Sequence, residues 1–495
     1  MLMRASDLPL DARGRVQADI VIVGAGAAGI VSAMELARGG RDVLVLEAGG
    51  PPPDDSRFEY FAGDNVGQAY DLVNTRYRGV GGATNLWAGW CRPLDQFEME
   101  FHPWVGGLPW PLTRSDLMDH SRRAAQLLDL GAWEWNVAKV AREHERASLA
   151  DVPGSEELLS STLWRFAAQP LSFADRFADF IAGPESRIVV DAPVIRINAR
   201  AGRARNLVIS PASGRRIRVD FDSLILAAGG IENNRLLLEM QSRLRPRGQS
   251  VDESGWLGRG WQEHPHVPIG TAYLPRSVAD GPLWMYTSRR ILDGVPILAG
   301  LTFPTQTLRR QRMSAVSVTI DPQFGLNAPY AAGIGFAAEQ VAGEGVLPHL
   351  LFARSGSRTV RGSRVSLSPR TDALGRPQAR LRWKIANGDF DDLGRAARMI
   401  AKAFARLNLG VVNVDAGRTT LAQRVWGGSH HIGGARMGES FRESVTDPFG
   451  AVHQIPNLYV TGSATFPSGG FSNPTLTIMA LALRQADHIL GRSGG

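Results

Sequence analysis

The segment ADIVIVGAGAAGIVSAMELARGGRDVLVLEAGG, residues 18–50, decides the fold of this 495-residue chain. Its run IVIVG indicates a short buried strand, and the glycines that follow indicate a turn. GIVSAMELARGG has helical periodicity and ends at glycines, and DVLVLE indicates a second strand. A strand, a helix and a strand in succession predict a βαβ unit, whose two strands lie parallel in one sheet.

The glycines of this unit have the spacing of a dinucleotide-binding loop. Gly24 allows the tight turn, Gly26 lets a pyrophosphate approach the backbone, and Gly29 permits close helix–strand packing. Glu47 ends the second strand, where a carboxylate can bind ribose hydroxyls and disfavours a 2′-phosphate. The pattern therefore predicts NAD or FAD, and the alternative is a glycine-rich turn that binds nothing.

A second glycine-rich loop, RGVGGATNLWAGWCRP at residues 78–93, favours FAD over NAD. A plain NAD dehydrogenase has no evident need of this loop. An FAD-binding protein needs such a loop, because the pyrophosphate and the flavin ring extend into the protein and require close backbone approach. A third strand that ends in glycine, ILAAGG at residues 225–230, is typical of flavoproteins near the adenylate.

The remaining segments predict a second type of architecture. Strand-like runs at residues 187–199 and 223–230, and the C-terminal strand NLYVTGSA with its following helix, belong to the nucleotide-binding part. Residues 266–383 alternate short apolar runs with turns, which predicts antiparallel strands and a hairpin around DALGRP. We expect a helix over 389–408 and a mostly helical segment over 113–180.

Length and composition restrict the functional class. A chain of this length predicts two domains, and 44% hydrophobic with 21% charged residues is typical of a soluble globular protein. No apolar run approaches the ~20 residues that span a bilayer, and the N-terminus lacks the apolar core of a secretory signal. A single cysteine, Cys91, excludes disulfides within the chain. We therefore expect a cytoplasmic protein without a membrane span.

The formal charge of +7 does not indicate a nucleic-acid partner. Its arginines are spread through predicted strands, turns and helices, whereas a binding surface needs a clustered basic patch. We expect no nucleic acid and no metal site.

Taken together, its motifs make the chain resemble the glucose–methanol–choline (GMC) oxidoreductases, flavoenzymes that oxidise alcohols. Six segments follow the family's order: GAGAAG with Glu47, RGVGGATNLW, LAAGGIENNRLLL, GRGWQEHP, HHIGGARMG and TGSATFPSGGFSNPTLTIMALA. GGATNLW and NPTLT are most similar to the branch that contains pyranose oxidases and bacterial glycoside 3-oxidases.

The resemblance implies a two-part fold of the α/β and α+β classes. A Rossmann-like FAD-binding domain is assembled from the discontinuous segments 15–112, 187–264 and 429–495. A substrate-binding domain, from 113–186 and 265–428, is built on a mostly antiparallel sheet with flanking helices.

The resemblance also assigns catalytic roles. In WGGSHHIGGARMG, residues 426–438, His430 stands at the spacing of the family's active-site histidine, and Asn473 heads the NPTLT match. Imidazole, with an unperturbed pKa of ~6.5, suits a base that takes the hydroxyl proton while hydride passes to flavin N5. Adjacent side chains of extended chain face opposite ways, so His431 is the alternative base and otherwise a core residue.

Two further histidines, His264 and His266 in QEHPHV, could approach the substrate side, but we expect a structural role in a proline-bounded turn. Trp87, Trp90, Trp104 and Trp110 are either stacking partners for a sugar or ordinary core residues.

We expect FAD to contact the three glycine loops and the residues that flank them. Gly462 and Ser463 would meet the pyrophosphate, and the helix N-terminus at Pro474 and Thr475 would stabilise the reduced, anionic ring. The predicted cofactor-binding residues are Gly24, Gly26, Ala27, Ala28, Gly29, Glu47, Ala48, Arg78, Gly81, Gly82, Thr84, Trp87, Ala88, Val194, Ala228, Gly462, Ser463, Pro474 and Thr475.

Two positions depart from the family. Leu86 stands where some pyranose oxidases attach the flavin through a histidine, so the resemblance implies non-covalent FAD. Ala88 replaces a threonine that lies beside the flavin in some members.

The sequence therefore predicts FAD-dependent oxidation of a secondary alcohol of a sugar or glycoside to a keto-sugar, with oxygen or a quinone as electron acceptor. One alternative is a non-sugar alcohol, such as a polyol, an aryl alcohol or a natural-product intermediate. A second is a non-redox lyase with a structural flavin, and a third is a non-catalytic binding protein. The carbon oxidised, the choice of electron acceptor among oxygen, a quinone and a protein, the oligomeric state and any partner subunit stay open.

Overall fold

A computed structural model describes residues 2–50, 57–212, 214–321 and 345–491 of the protein. Two large sheets and one small sheet form its framework. The cores of the two large sheets are separate clusters of buried apolar side chains. None of the helices in these described ranges is long and apolar enough to cross a membrane.

The predicted βαβ unit is confirmed. The strand Arg15–Val23, the helix Ala27–Arg38 and the strand Val43–Leu46 follow one another, and the strands pair in parallel with Ile20 opposite Val43. They lie in a mostly parallel sheet, whose main order is Leu2–Arg4, Ile188–Val190, Val43–Leu46, Arg15–Val23, Ile217–Leu226, Ile455–Val460 and the antiparallel Ala451–Val452. A hairpin, Val194–Arg200 with Arg203–Ile209, extends from Ile217–Leu226.

Helices cover both faces of this sheet, as the continuous apolar runs of its strands require. In the strand Arg15–Val23, Ile22 packs with the helices Ala27–Arg38 and Thr475–Ile489. Its neighbour Val21 points to the other face and packs with the helix Gly229–Leu244. The strands are buried from both sides, which makes this an α/β layer.

The second large sheet is antiparallel, as predicted for residues 266–383. Its main order is Val411–Val414, Pro265–Pro275, Val346–Ser355, Val316–Asp321, Val295–Thr302, Ser160–Phe166 and Trp90–Cys91, with Arg290–Leu292 and Trp426–Gly427 attached at its sides. The predicted helix over 389–408 is confirmed as Asn387–Arg406, and Phe390, Ile400 and Phe404 of that helix pack in the same core.

The predicted hairpin around DALGRP is confirmed as Arg364–Thr371 with Pro377–Arg382. It does not join the large antiparallel sheet. Instead it forms a third sheet with the parallel strand Gly63–Asn65. The other α-helices of the described residues are Arg57–Phe61, Gln96–Met99, Met118–Leu127, Val137–Glu143, Ser155–Leu158, Phe173–Arg176, Ala178–Ala182, Arg276–Ala279, Thr305–Gln311 and Arg418–Arg424. Short 3-10 helices span Ala5–Asp7, Gly82–Asn85, Leu149–Asp151, Arg245–Arg247 and Ser463–Thr465.

One prediction of secondary structure is wrong. Residues 113–180 are not mostly helical, because their helices are short and Ser160–Phe166 is a strand inside the antiparallel sheet. The strand is buried along most of its length, so it carries no polar–apolar alternation that would have revealed it. The run predicted at 187–199 is two strands, separated by a turn in which Asp191 has a φ of 53°.

The segment 113–186 contributes to both large cores. Ala124 and Phe173 pack beside the parallel sheet, whereas Val140 and Leu163 pack with the antiparallel one. The division of the chain into the two predicted domains stays a prediction.

Candidate active site

One cavity of about 560 Å³ brings the predicted site together. It is lined by every predicted catalytic and cofactor-binding residue except Gly29 and Gly81. Both of those glycines support the cavity wall from behind. A Cβ at Gly29 would lie 1.9 Å from the Gly24 carbonyl oxygen, and the Gly81 N–H donates to the Ala25 carbonyl at 2.8 Å.

Glycines shape one end of the cavity. Gly24 has a φ of +105°, and a Cβ there would lie 2.7 Å from the Ala227 carbonyl oxygen, so the turn requires glycine. Gly26 and Gly462, unlike Gly24, have free space beside their Cα atoms. A Cβ at Gly462 would meet nothing within 4 Å, and one at Gly26 would meet only Gly82, at 3.8 Å. These two positions leave open space into which a ligand can approach the backbone.

Glu47 joins the glycine loops to one another. Its Oε2 accepts the Ala25 N–H at 2.8 Å, and its Oε1 accepts the N–H groups of Gly49 and Gly79 at 2.9 and 3.0 Å. A carboxylate has about four acceptor sites, so one remains for a ribose hydroxyl. The acid predicted to bind ribose therefore also ties the first glycine loop to the second.

Three helices begin at the cavity wall. They are Ala27–Arg38, Gly229–Leu244 and Thr475–Ile489, and none has a side-chain cap at its first turn. Their free N–H groups and dipoles favour negative charge. Open glycine backbone, an acid with one remaining acceptor and these N-termini fit a long anionic dinucleotide such as FAD.

His430 and Asn473 lie together in the other part of the cavity. Nε2 of His430 is 3.3 Å from Nδ2 of Asn473, and Oδ1 of Asn473 is buried without a hydrogen-bond partner among the described residues. Ser429, directly before His430, has a φ of 63°, a left-handed conformation that non-glycine residues rarely adopt. The chain therefore holds a strained backbone where it presents this imidazole.

Glu263 fixes the backbone of this histidine. Its carboxylate accepts the N–H of His430 at 2.9 Å and the N–H of His264 at 2.8 Å. The Tyr70 hydroxyl donates to the same carboxylate at 2.6 Å. Burial raises the pKa of Glu263 to about 7, although these hydrogen bonds act in the opposite direction.

The structure also places His264 and His266 beside His430, which was the less favoured of the two predictions for these residues. Nδ1 of His264 is 2.9 Å from Nδ1 of His430, and the His266 ring centroid is 5.9 Å from that of His430. The segment GRGWQEHP was part of the family resemblance, and its adjacent acid and histidine were the available signal.

Burial keeps these imidazoles neutral. It lowers the pKa of His264 to about 3 and the pKa values of His266 and His430 well below the usual 6.5. The second influence on the pKa of His430 is the neighbouring His264, and the third is the charge of Arg354. A neutral His430 has the lone pair that a base requires.

His431 also lines the cavity, but its ring packs against aromatic side chains. Its ring lies 5.6 Å from Tyr70 and 6.0 Å from Trp261, centroid to centroid, and burial lowers its pKa to about 3. Its carbonyl oxygen accepts the Ser463 hydroxyl at 2.6 Å. The assignment of His431 to the core rather than to catalysis stays a prediction.

The four tryptophans separate into two groups. Trp87 and Trp90 line the cavity, whereas the indole N–H groups of Trp104 and Trp110 bond the carbonyl oxygens of Met313 and Ser468, outside it. Leu86 and Ala88 also line the cavity. Because leucine offers no atom for a flavin bond, non-covalent binding stays our prediction.

Comparisons with known proteins also indicate an FAD-dependent oxidoreductase. A family model described as FAD dependent oxidoreductase matches residues 19–300, and one described as GMC oxidoreductase matches residues 359–482. The chain is 25% identical over 556 aligned positions to 2-methyl-1,2-propanediol dehydrogenase of Mycolicibacterium austroafricanum, with 96% of each chain covered. It is 36% identical over 119 positions to the C-glycoside 3-oxidase of Arthrobacter globiformis. This match covers 24% of this chain and 22% of that enzyme.

Among solved structures, pyridoxine 4-oxidase from Mesorbium loti is similar to this fold. The TM-score is 0.60 at 18% sequence identity, and the match covers 95% of this chain and 99% of that one. At this identity the similarity shows the shared fold alone.

Proposed function

Because the chain belongs to the FAD-dependent oxidoreductases and carries the GMC oxidoreductase C-terminal domain, we propose that it oxidises a secondary alcohol of a sugar or glycoside to the ketone. FAD, when bound, supplies the acceptor for the hydride that leaves the alcohol carbon. The protein supplies the binding of the alcohol and the acceptance of its proton.

The pair His430 and Asn473 carries this proposal. Nε2 of His430 and Nδ2 of Asn473 are 3.3 Å apart at the cavity wall, so one hydroxyl oxygen can lie beside both. The hydroxyl donates its proton to the Nε2 lone pair, and the amide N–H donates to the oxygen. The amide thus stabilises charge that develops on that oxygen without competing for the proton.

Two tryptophans of the cavity wall support a sugar substrate. Trp87 and Trp90 line the cavity, and aromatic faces pack well against the C–H faces of sugar rings. The 36% identity to a C-glycoside 3-oxidase supports the same class. The similarity to a 2-methyl-1,2-propanediol dehydrogenase over almost the whole chain favours a small non-sugar diol as the second candidate.

The visible spectrum of the purified holoenzyme tests these candidates. Without oxygen, a substrate alcohol should bleach the flavin bands, and we expect a glycoside to do so faster than 2-methyl-1,2-propanediol. Faster bleaching by the diol would favour the second candidate. If no alcohol bleaches the bands, the protein does not oxidise alcohols and the lyase alternative gains support. Re-oxidation by air, compared with re-oxidation by a quinone, identifies the electron acceptor.

A further inference from the structure

Arg354 is a cavity residue to which the proposed chemistry gives no role. It lies in the strand Val346–Ser355, directly opposite His266 of the neighbouring strand. Residues paired in this way have side chains on the same face of the sheet. Both residues line the cavity, and the charge of Arg354 lowers the pKa of His430. The guanidinium therefore lies on the substrate side of the candidate base.

The guanidinium is packed between aromatic rings. Its carbon lies 4.7 Å from the centroid of Trp90 and 4.8 Å from that of Phe352. Nη1 donates to the Thr319 hydroxyl at 2.9 Å, and this is its one side-chain hydrogen bond to the described residues. The two rings and one hydroxyl fix the plane of the cation and leave most of its N–H groups without an acceptor.

Arg354 is half-buried on the cavity wall. Several arginines buried elsewhere pair with carboxylates, whereas the buried Arg165 and Arg436 donate to carbonyl oxygens. Arg92 pairs with Glu98 at 2.7 Å and Arg76 with Glu232 at 2.7 Å. No carboxylate of the described residues lies within 4.0 Å of the Arg354 guanidinium. Burial lowers the pKa of Arg354 to about 10, and the charge of Asp321 only partly offsets this. A desolvated cation of this kind is costly unless an anion joins it.

We propose that Arg354 binds an anionic group of the substrate, a carboxylate or a phosphate, so that the enzyme acts on acidic sugars or their glycosides. The substrate class rests on the proposed alcohol oxidation, whereas the anion site rests on Arg354 alone. A guanidinium matches both groups because it donates two parallel N–H bonds to two oxygens. A neutral hydroxyl would occupy one donor and leave the charge uncompensated.

An anion bound to the Arg354 guanidinium would also affect proton transfer to His430. The charge of Arg354 lowers the pKa of His264, His266 and His430, and thus makes the base a weaker proton acceptor. A bound anion offsets that charge. An acidic substrate therefore raises the proton affinity of His430 when it binds, and a neutral analogue does not.

Three matched ligands test the inference: methyl glucoside, methyl glucuronide and methyl glucoside 6-phosphate. Dissociation constants are measured by calorimetric titration of the oxidised holoenzyme under anaerobic conditions, and flavin reduction is recorded separately. Charge-assisted hydrogen bonds contribute ~1.5–3 kcal/mol, so we expect at least one acidic ligand to bind ~10–100-fold more tightly than methyl glucoside. Which ligand is preferred identifies the anion as carboxylate or phosphate.

The variants separate the anion site from general damage. Arg354→Gln should abolish the preference for the acidic ligand and leave the affinity for methyl glucoside nearly unchanged, while Arg354→Lys should retain part of the preference. Arg289→Gln is the control, because that exposed guanidinium also packs near Trp90, at 5.5 Å, but does not line the cavity.

Two results overturn the inference: equal affinity of the wild-type protein for neutral and acidic ligands, or equal loss of both in Arg354→Gln. If the acidic ligand binds through Arg354 but no alcohol reduces the flavin, the anion site stands and the proposed oxidation fails.

Discussion

Nδ1 of His430 lies 2.9 Å from Nδ1 of His264, and this contact determines which nitrogen of His430 can act as the base. Both rings are neutral, so one nitrogen of the pair donates and the other accepts. Nδ2 of Asn473 faces Nε2 of His430 at 3.3 Å, and an amide N–H requires an acceptor. The proton of His430 is therefore on Nδ1, donated to His264, and the lone pair on Nε2 faces the cavity.

Replacement of His264 should disturb the tautomer of His430 rather than the binding of the cofactor. His264→Leu removes the acceptor and should slow flavin reduction ~10-fold or more, the effect of one lost buried hydrogen bond. His264→Asn keeps an acceptor near the same position and should recover part of the rate. The measurement is anaerobic flavin reduction in both variants. Equal rates in the two variants would show that the tautomer is fixed elsewhere.

His430→Ala should leave FAD bound and slow flavin reduction by ~10²–10⁴-fold, the usual contribution of general-base catalysis. His431→Ala is the comparison, and its reduction rate should stay much closer to wild type because its ring packs against Tyr70 and Trp261. The opposite order of the two rates would assign the base to His431.

The pH dependence of the reduction rate should report the neutral state of His430. A base loses activity as the pH falls through its pKa, and burial holds the pKa of His430 well below 6.5. The limb that reports His430 should therefore lie below pH 6.5. A limb centred at or above 6.5 in stopped-flow reduction would contradict a buried, neutral base.

Much of this arrangement followed from the sequence, but the contacts around His430 did not. GAGAAG with Glu47 and the NPTLT segment predicted the fold and the cavity residues because each is a local pattern with a local physical reason. The Glu263 contact joins residues 167 positions apart and the His264 contact residues 166 apart. Only the antiparallel sheet and its loops bring them together. The strand Ser160–Phe166 was missed for another reason, since burial on both faces removes the alternation that marks a strand.

The carboxyl of Glu263 should make stability depend on pH. Its pKa is raised from 4.5 to about 7, so the unfolded chain ionises first and stability falls as the pH rises from about 4.5 to about 7. The loss is about 3 kcal/mol at 1.36 kcal/mol per unit. Relative to Glu263→Gln, which cannot ionise, the Tm of the wild-type protein should fall across this range. Glu253→Gln, at an exposed carboxylate, is the control, and because it retains Glu263 its Tm curve should run parallel to that of the wild type. Parallel Tm curves for wild type and Glu263→Gln would refute a raised pKa.

Gly26→Val should prevent FAD binding without unfolding the protein. Gly26 has an ordinary φ of −84°, and a Cβ there would meet only the Gly82 Cα at 3.8 Å, so valine is accepted by the backbone and extends into the cavity. It should exclude the pyrophosphate from the N-terminus of the helix Ala27–Arg38.

The matched control is Gly417→Val, at the N-cap of the helix Arg418–Arg424 with a φ of −66° and a nearest neighbour at 3.7 Å. Both substitutions replace a glycine N-cap by valine, so both carry the same small capping cost of ~1 kcal/mol or less. Only Gly26→Val should be purified colourless while its far-UV circular dichroism stays that of the wild-type protein. A yellow Gly26→Val protein with normal flavin content would show that the cofactor approaches the first glycine loop less closely than the open backbone at this position indicates.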